Sequence, residues 1–199
     1  DGISNKALEY FSQQDEGSEE SLLLSFTNTE KNFKTRFQHA QTLGAMGEVA
    51  YSRNKNDEAM QGFSAAKTIL EKLYKIQPEN SELLKTLEAN AFWLGQLASD
   101  KAELTLAKLH FEEYLSFSKL MNQLKPNNDD AKLELSYAYL AIGGINSKLQ
   151  KLGAAKVALE KALAIQYELT EDLPKTDMSQ VDIADTLEWL AETEEQLGN

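Results

Sequence analysis

The sequence predicts an all-α protein built as a solenoid of stacked antiparallel helical hairpins. Only 10 glycines and 3 prolines occur in 199 residues, and this scarcity disfavours a β-rich fold with many tight turns. Apolar residues recur at steps of three and four, as at Leu133, Tyr137 and Leu140, which is the spacing of one helix face. The third observation is a long internal repeat, which indicates a chain of similar units stacked in a row.

The repeat is visible in the three prolines, Pro78, Pro126 and Pro174, which follow one another at equal intervals of 48 residues. Cutting the chain after each proline gives three full repeats and a half repeat: 31–78, 79–126, 127–174 and 175–199. One position holds a small residue throughout, as Gly47, Gly95, Gly143 and Ala191. Sixteen residues after each glycine comes a large apolar residue, Phe63, Phe111 or Leu159. We expect the small residue to let two helices approach closely and the large one to fill the space between them.

Each repeat is predicted to contain two helices joined by a short polar turn, at residues 53–57 in the first repeat and 148–153 in the third. Proline ends the second helix because it lacks an amide donor and restricts the residue before it. Side chains that cap helix N-termini then precede the next helix, Asn80 and Ser81 in one case and residues 127–130 in the other.

The two ends of the chain depart from the full repeat. Residues 1–30 fit it poorly, and we expect there an N-terminal helical cap or the stub of an upstream domain, with two short helices. Residues 175–199 match only the first helix of a repeat, so they are expected to form an acidic capping helix or half of a longer hairpin. Because the chain starts at Asp1 rather than Met, we expect a fragment or a processed product, and no targeting segment is recognised in it.

A family resemblance rests on Leu94-Gly95, Ala107, Phe111 and Pro126. The sequence resembles the tetratricopeptide repeat family over about residues 31–197, but its repeat is longer than the roughly 34 residues of the standard unit. Each interval of the pattern has gained seven residues, almost two helical turns, so the inner face of each helix would be kept. Ile69, Leu73 and Ile76 are expected to extend the inner face of the second helix. The resemblance implies a right-handed superhelix, as in long-helix variants of bacterial signalling proteins.

Charge is distributed unevenly along the acidic chain, whose net charge is −12. Residues 1–30 and 175–199 each carry −6, the first repeat carries +4, and the second and third repeats carry −2 each. An acidic surface repels phosphate backbones, so nucleic-acid binding is not expected. The acidic residues serve either solubility and end-capping or the recognition of a basic partner.

The sequence offers few residues or motifs that could support enzymatic chemistry. Cysteine is absent, which excludes disulfides and thiolate sites, and His39 and His110 lie at unrelated repeat positions. No phosphate-binding glycine loop or nucleophile elbow occurs. We therefore expect no enzyme, no metal and no cofactor. An uncharged, apolar-leaning stretch at residues 136–147 is too short to span a bilayer, so no membrane insertion is expected. Trp93 and Trp189 are expected to pack between repeats.

The binding site is expected from the resemblance, in which the first helices of the repeats line a concave face on the side away from the Leu-Gly pair. Ten positions carried over by register form the predicted groove: Glu48, Tyr51, Phe92, Gln96, Ser99, Asp100, Tyr137, Leu140, Lys148 and Glu188. This mixture of aromatic, polar and acidic side chains suits an extended peptide or a helix. With Lys148 as its one basic residue, the predicted groove does not suit the carboxylate clamp that some family members use for chaperone tails.

The sequence therefore predicts a non-catalytic scaffold or interaction module that binds a protein or peptide partner, with a basic partner as one option. The alternatives are self-association, as a homodimer, through the half repeat at residues 175–199, and a regulatory domain that binds a small ligand in the predicted groove. We expect a soluble chain, and its pattern leaves the cytoplasm and the periplasm equally open.

Overall fold

The computed structural model of the chain describes residues 29–171 and 177–198. The predicted helices within residues 1–28 and the turn at Pro174 lie outside the described residues. The described part of the chain contains seven α-helices and no strand: α1 (Thr29–Ser52), α2 (Asn56–Tyr74), α3 (Ser81–Asp100), α4 (Leu104–Leu124), α5 (Asp129–Lys148), α6 (Leu152–Glu171) and α7 (Asp177–Leu197). The all-α prediction is confirmed.

The helices pair in the order of the repeats. Helices α1 and α2, α3 and α4, and α5 and α6 form three hairpins, and each hairpin packs on the next one along the chain. Helix α7 packs mainly on α6 and follows the third hairpin as the half repeat. The predicted succession of stacked hairpins is thus confirmed, with one first helix and one second helix in each full repeat.

The turn inside each hairpin has the same backbone geometry in all three repeats. Asn54, Ala102 and Gln150 occupy the same repeat position and have left-handed φ angles of 58°, 59° and 57°. In the first turn the amide of Lys55 donates to the carbonyl of Ala50 at 2.9 Å, and the other two turns repeat this bond at 2.9 and 2.8 Å. This is the Schellman ending of a helix. The sequence predicted where these turns lie but not which residues are left-handed, because none of the three is glycine.

The turns between hairpins use the predicted capping residues. Asn80 Oδ1 accepts from the amides of Glu82 and Leu83, both at 3.1 Å, and Asn128 Oδ1 accepts from the amide of Ala131 at 2.8 Å. Helix α2 already ends at Tyr74. The prediction that Ile76 extends its inner face is therefore wrong: the chain turns towards Pro78 before that residue, and the Ile76 side chain is exposed.

Gly47, Gly95 and Gly143, which share one repeat position, each lie at a close contact within their hairpin. A Cβ atom added to Gly47 would lie 2.9 Å from the ring of Phe63, and one added to Gly95 would lie 2.6 Å from the ring of Phe111. In the third hairpin the partner of Gly143 is Leu159, again at 2.6 Å. All three large side chains are buried. The predicted pairing of a small and a large residue sixteen positions apart is confirmed in every full repeat.

Candidate functional site

The predicted groove residues divide among four places in the structure: two cavities, a hydrogen bond between first helices (Tyr51 and Asp100), and the exposed side of α7 (Glu188). Six of the ten line one cavity of about 470 Å³ between α3, α4, α5 and α7: Phe92, Gln96, Ser99, Tyr137, Leu140 and Lys148. We call it the aromatic cavity, because Phe92, Trp93, Tyr114, Tyr137 and Trp189 form much of its wall. Glu48 lines a different, smaller cavity of about 260 Å³ together with Gln41 and Gly44.

Packed rings hold the wall of the aromatic cavity in place. The ring of Phe92 lies 5.4 Å from that of Trp93 and 5.8 Å from that of Tyr114, both edge to face. Trp93 in turn stacks on Phe63 of α2, with 5.9 Å between ring centres and an angle of 12°. Such ring pairs stabilise beyond simple burial. Phe92 therefore packs within its own hairpin and lines the cavity, whereas Trp93 packs between repeats, as predicted.

Trp189 rather than Glu188 completes the cavity on the side of α7. A Cβ atom at Gly144 of α5 would lie 3.1 Å from the indole of Trp189, which remains 37% exposed. Glu188 is exposed and does not line the aromatic cavity. Adjacent helical residues point about 100° apart, so a shift of one residue in register decides which side chain faces the cavity. The small residue Gly144, opposite a tryptophan of the next unit, is the signal that could have revealed this contact.

Polar groove residues near one end of the first helices hold adjacent repeats together. Tyr51 donates its hydroxyl to Asp100 Oδ2 at 2.9 Å, and Gln96 donates to the other oxygen of Asp100 at 2.7 Å. In the next pair of repeats, Lys148 donates to Ser99 Oγ at 2.8 Å. Tyr51 and Ser99 share one repeat position, and Asp100 and Lys148 share the following one. These hydrogen bonds thus connect the first helix of each repeat to the first helix of the next.

Two tyrosine hydroxyls of the aromatic cavity donate to carboxylates. The Tyr114 hydroxyl lies 2.6 Å from Glu134 Oε1, and the Tyr137 hydroxyl lies 2.9 Å from Asp182 Oδ2. Burial, with Asp182 as the second cause, raises the pKa of Tyr137 to about 12. Burial and the nearby Glu134 likewise raise the pKa of Tyr114. Both hydroxyls therefore remain protonated donors. The charged side chains of the cavity lining are the carboxylate of Glu134 and the ammonium group of Lys148.

A third cavity, of about 380 Å³, lies beside the aromatic cavity, and we call it the Glu88 cavity. Its lining includes Lys85, Glu88, Met121, Lys125, Asn128, Asp130 and Glu134. Glu88 is only 3% exposed and its Oε1 has no hydrogen-bond partner. Burial, reinforced by the charge of Glu134, raises the pKa of Glu88 to about 7.

Sequence reasoning missed Glu88, although the repeat contained a signal. The residues at the same position in the repeats before and after it are Ala40 and Ser136, both buried and small. The glutamate is accommodated because Ser118, at the position of Leu70 in the first repeat, is small and reaches the carboxyl group. A large acidic residue at a small-residue position of a periodic core indicates a local departure from simple packing.

His110 has a structural environment between the second helices of the first two repeats. Its Nδ1 lies 3.0 Å from Glu113 Oε2, and Lys67 of α2 donates to both oxygens of Glu113 at 2.7 and 2.6 Å. Partial burial opposes ionisation of Glu113, but the hydrogen bonds from His110 and Lys67 outweigh it and hold its pKa below the ordinary value. The group joins α2 to α4 and lines none of the three cavities described above.

Comparisons with known proteins leave the site to be interpreted from its own chemistry. Neither a protein-family model nor a curated protein matches the chain significantly.

Within residues 29–171 and 177–198, no group of three or more histidine, aspartate and glutamate side chains is placed to hold a metal ion. None of the helices in that part of the chain combines the length and apolar character needed to cross a lipid bilayer.

Proposed function

We propose that the chain is a non-catalytic interaction module that binds a peptide segment of a partner protein in the aromatic cavity. The single observation that carries this proposal is the convergence of six predicted groove residues and Trp189 on one cavity. Its volume of about 470 Å³ is of the size that binds a small ligand or a few side chains. The resemblance to tetratricopeptide repeats supports the same role, as does the fixed aromatic wall, because pre-formed aromatic pockets hold the anchor residues of interfaces.

The chemistry of the lining indicates what the partner segment carries. Aromatic and aliphatic side chains dominate the cavity, so the partner inserts a large apolar side chain. Glu134 in the lining and Asp182 outside it accept hydrogen bonds from the tyrosines of the wall. Lys148 is the basic side chain of the lining, and the whole chain has a net charge of −12. Charge complementarity then favours a segment with positive charge next to its apolar anchor, since opposite potentials steer association and select partners.

A selection of random displayed peptides on the immobilised protein tests the proposal. We expect the wild-type chain to enrich a defined set of peptides and the double variant Phe92→Ala, Tyr137→Ala to lose it. The matched control is Leu109→Ala, Val157→Ala, which removes two large apolar side chains that are 52% and 51% exposed on the second helices. Thermal melts establish that both variants fold. Recovery of the same peptides from all three proteins contradicts the proposal.

Self-association through α7 is the second candidate, and one observation favours it. Leu187 is 41% exposed, whereas Leu43 and Ala91, its counterparts in the first two repeats, are buried beneath their second helices. A second copy of the chain could cover this face. Sedimentation equilibrium of the wild type and of Leu187→Glu distinguishes the outcomes: a dimer lost in the variant supports self-association, and a wild-type monomer at high concentration excludes it.

A further inference from the structure

The Glu88 cavity opens beside the aromatic cavity, and two residues belong to both. Ala89 of α3 and Glu134 of α5 line each of them. The carboxylate of Glu134 therefore stands at the boundary between an apolar space and a polar one. A peptide anchored in the aromatic cavity would have its neighbouring side chains within reach of Glu134.

Glu88 has a carboxylate oxygen that the protein itself does not use. The residue is almost completely buried, and its Oε1 has no hydrogen-bond partner. An unpaired buried carboxylate is costly, and the other repeats avoid it with Ala40 and Ser136. Ser118 interacts with the carboxyl group, and Lys85 attracts it only through its charge. Packing alone gives no reason to place glutamate here.

The donor set of the Glu88 cavity fits an organic cation better than a metal ion. Glu88 and Glu134 are two carboxylates that repel each other electrostatically, and no described group of three acidic or histidine side chains could hold a metal. An ammonium or guanidinium group brings several N–H donors and a positive charge, which satisfies both carboxylates at once. With Glu88 ionised, the three carboxylates of the lining (Glu88, Asp130 and Glu134) exceed its two lysines (Lys85 and Lys125) by one, so the site accepts a single added positive charge.

We propose that the Glu88 cavity is a subsite for one lysine or arginine side chain of the partner peptide, with Glu88 and Glu134 as its acceptors. This inference rests on the proposed function, because the same peptide places its apolar anchor in the aromatic cavity. It makes the partner class specific: a segment in which a basic residue lies close to a large apolar one.

The ionisation of Glu88 gives the subsite a pH signature. The groups around Glu88 are Lys85 on its own helix, Ser118 and Tyr114 on α4, Asp130 and Glu134 on α5, and Lys125 between α4 and α5. With a pKa of about 7, Glu88 is partly protonated at neutral pH, and a bound cation favours its ionised form. Affinity for a basic peptide thus rises as the pH increases through 7, and binding releases protons.

The test uses the same random peptide selection on the full chain and its variants Glu88→Gln and Glu134→Gln. Lysine and arginine should be enriched next to the apolar anchor with the wild type and fall to their library frequency with either variant, while the anchor persists. Glu82→Gln, an exposed carboxylate on the same helix α3 that lines neither cavity, is the matched control and should retain the basic preference. Two variants keep the test decisive if one of them fails to fold.

A single selected peptide then isolates the charge. Replacing its arginine with citrulline, which is nearly the same shape but neutral, should weaken binding to the wild type about tenfold or more. The same replacement should change the affinity of the peptide for the Glu134→Gln variant only slightly.

Each failure has a distinct meaning. Selected peptides that share an apolar anchor without a basic residue overturn the subsite and leave the proposed function standing. A basic preference that is unchanged in both glutamine variants also overturns the subsite, because the charge is then recognised elsewhere. If no peptide is enriched by any of the proteins, the proposed function fails, and the subsite fails with it.

Discussion

At the scale of single residues, the fold depends on glycine facing a large side chain. Gly95 lies so close to Phe111 that any Cβ atom would overlap the ring, whereas a Cβ atom at Gly44 of α1 would meet nothing within 4 Å. Glycine costs about 1 kcal/mol relative to alanine inside a helix, so it is retained at Gly95 for close approach. The same explanation does not apply at Gly44.

Substituting alanine at these two glycines should therefore change stability in opposite directions. Gly95→Ala should lower the free energy of unfolding by about 1–3 kcal/mol, because Phe111 has to shift in a filled core. Gly44→Ala should raise it by up to about 1 kcal/mol through helix propensity. Urea titrations followed by circular dichroism measure both values. A stability loss at Gly44 equal to that at Gly95 would mean that the close packing is not the cause.

At the scale of the helical elements, the hairpin turns have a left-handed residue that is not glycine. Ala102 lies two residues beyond the end of α3 and has a φ of 59°. The Glu103 amide donates to the carbonyl of Ala98 at 2.9 Å across it. A residue with a Cβ atom is strained by about 1–2 kcal/mol in this conformation. The hairpin adopts the turn because packing of the two helices outweighs that local strain.

Ala102→Gly should consequently stabilise the protein by about 0.5–1 kcal/mol, the strain relieved less the greater freedom of glycine in the unfolded chain. The matched control is Ala164→Gly, the same substitution at an exposed position inside α6, which should cost about 1 kcal/mol. Thermal melts of both variants separate the two effects. Equal destabilisation by the two changes would refute the role assigned to the left-handed turn.

At the scale of the whole molecule, side chains spaced by about one repeat join the hairpins into one stack. Tyr51 with Asp100 and Lys148 with Ser99 link successive first helices, and Lys67 with Glu113 links second helices. Stability in such a stack is a sum over units and their interfaces. Titratable groups at the interfaces therefore make the stability of the whole molecule depend on pH. The pKa of Glu88 is raised and that of Glu113 is lowered, so a rise in pH changes the free energy of unfolding in opposite directions through the two groups.

The pH dependence of unfolding should reveal the contribution of Glu88. Its pKa is about 7 in the folded chain, against an ordinary value of 4.5, so the folded state holds a proton that the unfolded state releases between these values. Stability from this group is thus lost as pH rises from about 4.5 to 7, by up to about 3 kcal/mol.

Glu88→Gln removes this titration. Relative to the wild type, the variant should therefore gain stability between pH 5 and pH 8, measured by urea titration at each pH. Glu82→Gln should show no such gain. A constant difference between wild type and Glu88→Gln across the pH range would show that Glu88 titrates normally.

The repeat itself, the division into hairpins, the capping asparagines and the small-to-large pairs were determined by the sequence alone. Each is a local pattern that can be recognised within a single repeat, and its recurrence in the other repeats supports the prediction. Gly95 with Phe111 is an example, because both residues belong to one hairpin and their separation follows from helix geometry.

Only the tertiary structure decided which side chains meet across repeats. It placed Trp189 instead of Glu188 in the aromatic cavity, turned Tyr51 and Asp100 into a link between helices, and left Glu88 buried beside Glu134. The physical reason is that these contacts depend on the angle and distance between neighbouring hairpins, where one residue of register or one side chain of different size changes the partner. Periodicity along the chain predicts how side chains pack within one repeat, but it does not predict how one repeat fits against the next.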